Sequence, residues 1–160
     1  MTDSRLDILK SKLSNFKTEF DNVNGTPGFY IDRNDVIDAC KILKEDPELK
    51  FTSLLDAISV DRFQKKNRYE MFYNLVSIEN NERIFIKIKL DSVNPEMQSL
   101  TQIWRSANWY EREAYDMMGI NFINHPDLRR MYMPEEFEYY PLRKDFPLMG
   151  IPDSIPLPNK

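Results

Sequence analysis

The chain has one cysteine and one histidine among its 160 residues. A lone Cys40 cannot close an intrachain disulfide. Together with His125 it falls short of the ligand sets that hold an iron–sulfur cluster, a structural zinc or a haem. If the protein serves redox chemistry, another chain carries the electrons. Glycine is scarce, with four residues, and no Gly-rich phosphate loop is present. Long apolar runs are missing, so no segment reads as a bilayer span. The start, Met1-Thr2-Asp3-Ser4-Arg5-Leu6-Asp7, has no apolar stretch and no small-residue cleavage site. That pattern argues against a secretory signal and for the cytosol. A net charge of −4 argues against a general nucleic-acid binder.

What is present fits one folded unit. Hydrophobic residues make up 41% and charged residues 30% of the chain, ordinary values for a globular protein. A chain of this length buries roughly 68–70% of its unfolded surface, enough for a real core.

Proline divides the sequence unevenly. Residues 1–120 contain Pro27, Pro47 and Pro95, whereas Pro126, Pro134, Pro141, Pro147, Pro152, Pro156 and Pro158 crowd residues 121–160. Proline removes an amide donor and restricts its predecessor, so this tail is neither continuous helix nor inner strand. It also carries Phe122, Leu128, Met131, Tyr132, Met133, Phe137, Tyr139, Tyr140, Leu142, Phe146 and Leu148. Disordered tails avoid such residues. The expectation is an α+β domain over 1–120 and an extended docking tail over 121–160.

Within the domain, Leu6, Leu9, Leu13, Phe16 and Phe20 recur at helical spacing, with Thr2 or Asp3 available as cap. The register changes to strand somewhere in Phe16–Val23. Gly28 to Ile31 reads as a short strand. Asp32 or Asn34 can cap a helix presenting Val36, Ile37, Cys40 and Leu43. Phe51–Val60 is ambiguous between helix and strand. Ile84, Ile86, Ile88 and Leu90 alternate with Arg83, Phe85, Lys87 and Lys89, the period of a half-buried strand. With Tyr69–Ile78 before it, that is a hairpin. Helices over a largely antiparallel sheet follow, an α+β two-layer sandwich.

The densest information lies beyond Trp104. Asn108 with Glu111 three residues on fits a capping box, and Gly119 fits a left-handed C-terminal cap. They bracket a helix from Trp109 to Met118, with Ala114, Tyr115 and Met118 facing inward and Glu111 on their side. Glu111, Arg112, Glu113 and Asp116 could form a paired-carboxylate acid/base site. Two structural readings compete: Glu111 closes the capping box, or it meets a tail arginine because a buried carboxylate needs a partner. His125-Pro126-Asp127 matches no common metal spacing and reads better as a hydrogen-bonded turn. The basic clusters Arg129-Arg130 and Arg143-Lys144 could hold phosphate, but guanidinium–carboxylate docking fits better.

Several of these runs occur in order: Ala107-Asn108-Trp109-Tyr110-Glu111-Arg112-Glu113, Asp116-Met117-Met118-Gly119-Ile120, His125-Pro126-Asp127-Leu128-Arg129-Arg130 and Pro141-Leu142-Arg143-Lys144-Asp145-Phe146-Pro147. Together they resemble the signature of the thirty-kilodalton (C-type) subunit of proton-pumping NADH:quinone oxidoreductase, respiratory complex I. The resemblance implies a two-layer α/β sandwich that carries no cofactor of its own, FMN and the Fe–S clusters belonging to other subunits. It implies a place in the peripheral arm, on the cytoplasmic side of the bacterial inner membrane. The D-type subunit would be the main partner, beside the B-type and other peripheral-arm subunits. The complex would pass electrons from NADH to ubiquinone or menaquinone and translocate protons, while this chain braces the quinone-reducing module without catalysing. Two departures stand out: Asn124 and Tyr139 replace glycines usual in the family. Two alternatives remain, a relative of the complex fed by ferredoxin or another donor, and a stand-alone hydrolase or lyase using Glu111, Glu113, Asp116 and His125.

Overall fold

The computed structural model describes residues 3–151; Thr2, Pro152, Pro156 and Pro158 lie outside them. The chain opens with α1 (Asp3–Lys12), the hairpin β1 (Thr18–Val23) and β2 (Thr26–Ile31), and α2 (Val36–Glu45). Then come β3 (Ser53–Asp61), β4 (Tyr69–Ser77), β5 (Glu82–Leu90), β6 (Glu96–Gln98), α3 (Ala107–Met118) and β7 (Asn121–Ile123). A five-stranded sheet runs in the order β1-β2-β5-β4-β3, antiparallel except for the β2–β5 pair. A parallel two-stranded sheet of β6 and β7 stands apart from it.

The alternation in the β4–β5 hairpin decides which face is dry. Tyr69, Met71, Tyr73 and Leu75 pair with Leu90, Ile88, Ile86 and Ile84, and all eight are buried. Leu9 and Leu13, then Val36, Ala39, Cys40 and Leu43 of α2, then Ala107, Ala114 and Met118 of α3 join the same core. This is the α+β sandwich the residue patterns imply. On the other face Lys87 is buried too, 3% exposed. Its ammonium stacks over Tyr30 and Phe72 and pairs with Asp21, so its stem lies flat on the sheet.

Some expectations change. The first helix stops at Lys12, and Phe20 lies in β1 against the Phe29 ring, centroids 5.5 Å apart. Neither Asp32 nor Asn34 caps α2. Asp35 holds that position without a side-chain cap bond, and Asp32 instead accepts from the Asn34 amide in a local turn. Phe51–Val60 resolves as strand: β3 pairs with β4 and bulges between Leu54 and Asp56. The tail begins with β7, whose Phe122 belongs to the core. From Asn124 to Ile151 the chain turns repeatedly and forms no further helix or strand.

Candidate functional site

The signature residues collect around α3. The helix starts at Ala107, with Ser106 at its N-cap and no side-chain cap bond. Ser106 Oγ donates instead to the Leu54 carbonyl. Asn108 therefore lies inside the helix and the capping box does not form. Gly119 does close the other end, at φ 71°, its amide donating to the Ala114 and Tyr115 carbonyls. A Cβ there would stand 2.5 Å from an Arg143 nitrogen and 2.7 Å from the Tyr140 ring. Glycine is required twice over, by backbone hand and by space.

Glu111 is fully buried. It meets no arginine. Its Oε2 accepts from Ser99 Oγ at 2.6 Å, and its Oε1 from the Leu100 amide at 2.8 Å and the Tyr73 hydroxyl at 3.2 Å. Burial pushes the Glu111 carboxyl up to about 7, against those three donors. Glu111 thus stitches α3 to the segment after β6 and to β4.

Asp116 likewise has no exposed surface and is the side chain that meets the tail. Its Oδ1 accepts from Arg130 at 2.9 Å. Its Oδ2 accepts from three successive backbone amides, Met131 at 2.9 Å, Tyr132 at 2.7 Å and Met133 at 3.1 Å. Burial works against ionisation, but those amides and the guanidinium outweigh it and hold the carboxyl below its usual range.

Arg112 continues the same seam. Its guanidinium stacks on Trp109 and donates to the Arg129 and Arg130 carbonyls. His125 forms the turn expected of it: Nδ1 accepts from the Asp127 amide at 3.0 Å, which leaves Nε2–H to donate to the Asn108 carbonyl at 3.2 Å. Burial lowers its pKa. Pro126 is exposed on that turn. Asn124 before it takes the left-handed conformation, φ 63°, which asparagine tolerates. Tyr139 does not have positive φ; its carbonyl accepts from Arg130.

The second basic cluster is anchored likewise. Arg143 Nε donates to the Met118 carbonyl at 2.7 Å, and its guanidinium lies 4.2 Å from the Tyr140 ring centroid. The Leu142 amide, just after Pro141, donates to the Met117 carbonyl. The Lys144 amide donates to Asp61, and Asp145 pairs with Arg68. Burial raises the Asp61 carboxyl, yet Arg68 and the amides of Lys144 and Phe63 hold it at about 2. Asp61 and Arg68 were not legible as site residues, since the tail residues they hold, Lys144 and Asp145, lie more than 70 positions away.

The four residues of the carboxylate reading do not converge on one cavity. Glu111 and Asp116 are closed off, Glu113 is exposed, and His125 is occupied at both nitrogens. Among the described residues no three His, Cys, Asp or Glu side chains gather as a metal site. Arg129 alone of the tail arginines reaches solvent with most of its side chain, paired to Asp127.

Comparison with known proteins identifies the family. The family model described as "Respiratory-chain NADH dehydrogenase, 30 Kd subunit" matches residues 29–152. The chain belongs to this family. It is 41% identical over 158 residues to the NADH-quinone oxidoreductase C-type subunit numbered 2 in Rhizobium meliloti (strain 1021), covering 97% of this chain and 86% of that one. It is 40% identical to the NADH-quinone oxidoreductase C-type subunit of Geotalea uraniireducens (strain Rf4), covering 92% and 88%. Among solved structures, a trypsin-resistant fragment (1-134) of Nqo5 superposes with TM-score 0.68 at 26% identity, covering 78% of this chain and 99% of the fragment. A chain of an archaeal membrane-bound sulfane sulfur reductase shares the fold, TM-score 0.73 at 23% identity, over 92% and 88%. This member of the 30 Kd family has, among its described residues, no helix long and apolar enough to cross a membrane.

Proposed function

We propose that the chain is a non-catalytic, cofactor-free subunit of the peripheral arm of NADH:quinone oxidoreductase. It packs chiefly against the D-type subunit, with the B-type and other peripheral-arm subunits nearby, and braces the quinone-reducing module on the cytoplasmic side of the bacterial inner membrane. The complex carries electrons from NADH through FMN and Fe–S centres in other subunits to quinone, coupled to proton translocation. The observation that carries this reading is the inward closure of the signature. Asp116, Arg112, Arg130 and Arg143 bind tail to helix, which gives a rigid docking body with no open acid/base pair. A stand-alone hydrolase would need its carboxylates to reach substrate, and the two buried ones do not.

The test replaces the chromosomal copy by Asp116→Asn and measures assembled complex on native gels together with quinone reductase activity per flavin. The expected result is less assembled complex with normal turnover in what remains. A fully assembled but inactive complex would overturn the structural role. The electron donor is settled separately, by whether a flavin subunit that oxidises NADH co-purifies.

A further inference from the structure

The edge of the sheet at β3 carries a feature that the fold itself leaves unused. As the outermost strand, β3 has a ladder partner on one side only, and the far side of such a strand is a template for another chain. Its first residues are blunted. The bulge after Leu54 frees the Leu55 carbonyl, which accepts from Tyr110 at 2.6 Å, while Ser106 takes the Leu54 carbonyl. Beyond the bulge the edge is open. There β3 and α3 flank a groove of about 210 Å³ whose lining includes Asp56, Ile58, Tyr110, Glu113 and Leu142. Ile58 is 53% and Leu142 54% exposed. Two carboxylates line this groove and no cation does. Asp56 Oδ1 is buried without a hydrogen-bond partner, and so is Oδ1 of Asn74, its cross-strand neighbour on β4. Asn74 carries an amide donor of its own, but the buried Asp56 carboxylate oxygen is an acceptor left without a partner, which is costly.

We propose that this groove receives an extended apolar segment from a neighbouring protein of the complex, a segment bearing one lysine or arginine, which adds to the β3 edge and supplies the missing donor. Strand addition provides main-chain bonds, and the pocket selects alternate side chains. The cation answers the acidic lining, as complementary charge does at interfaces. The inference rests on the reading of the chain as a docking subunit, and it names a surface at the sheet edge to which the tail contributes Leu142 alone.

The test is made in the intact complex. A photo-crosslinking amino acid is placed at Ile58, with Ile78, exposed in the β4–β5 loop, as control. A parallel strain carries Asp56→Asn with Glu113→Gln, near-isosteric changes whose folding is checked by circular dichroism. Position 58 should capture one segment of a different protein of the complex, with a Lys or Arg in it, and position 78 should not capture it. The double variant should retain that partner about tenfold less well in salt washes. Capture of residues 152–160 of the same chain, capture of a segment without a cation, or unchanged retention would each overturn the groove while leaving the docking function intact. A chain that purifies without other subunits would overturn the functional reading first, and the groove with it.

Discussion

Glu111 and Asp116 stand five positions apart on one helix, both with no exposed surface, yet their chemistry diverges. The Glu111 side of α3 offers two hydroxyls and one amide, all neutral, and the carboxyl rises to about 7. The Asp116 side offers three amides and a guanidinium, and the carboxyl falls. Neither side chain touches solvent, but Glu111 lies deeper and meets only neutral donors, while Asp116 lies nearer the surface and meets a guanidinium. Depth and donor set together fix the charge state. The Glu111 end is a proton-tolerant seam, and the Asp116 end is a committed ion.

The largest effect should come from removing the ion. Asp116→Ala leaves Arg130 without its carboxylate and three amides without an acceptor, a loss of about 3–5 kcal/mol. Urea unfolding measures it, and trypsin should then cut at Arg129 or Arg130 in the otherwise folded protein. A variant that is both stable and protease-resistant would show that the tail is held elsewhere.

The next effect is a pH dependence of opposite sign at the two ends. The folded Glu111 keeps its proton up to about 7, while the unfolded side chain releases it near 4.5. The folded state binds the extra proton, so stability falls as pH rises through that window, by about 3 kcal/mol in all. Asp116 behaves conversely. Its folded carboxyl lies below 3.8, so its contribution is present above that pH and is lost only as pH drops through the lowered value. Glu111→Gln should therefore flatten the decline between pH 4.5 and about 7 and leave the acid limb below it unchanged. Denaturation at several pH values in that range checks this, and an unchanged slope would place the decline elsewhere.

The smallest effect sharpens the boundary between the helix and the tail. Gly119→Ala forces a left-handed alanine against the Tyr140 ring and the Arg143 guanidinium, at about 1–2 kcal/mol. Thermal unfolding should show a modest drop, and amide exchange should quicken at Leu142 and Arg143 before it does at Glu111.

The contrast also explains what the sequence disclosed. Gly119, the β4–β5 hairpin and the His125 turn depend on neighbours a few residues away, and they read directly. Glu111 misled because Ser99, Leu100 and Tyr73 come from other elements, while Asn108 offered a local partner that the helix start at Ala107 removes. Phe51–Val60 was ambiguous between helix and strand for a mechanical reason: the bulge at Leu55 adds a residue to the strand and breaks its alternation. Strands of three residues such as β6 and β7 give no period to detect. Arg130 and Arg143 read as arginines that dock on a partner chain, whereas their anchors within the same chain, Asp116 and the Met118 carbonyl, were not legible.

Asp61 ties the last residue of β3 to Lys144, a contact across 83 positions. A ribosome emits the chain from its N-terminus, so this link cannot close until Lys144 has been made. Until then Asp61 has Arg68 and the Phe63 amide but lacks its fourth donor, and before Arg130 emerges Asp116 has no guanidinium to face. Long-range closures of this kind are the slow steps of folding. The order of synthesis therefore works as a checkpoint: a prematurely terminated chain can complete its sheet, but it cannot fasten it.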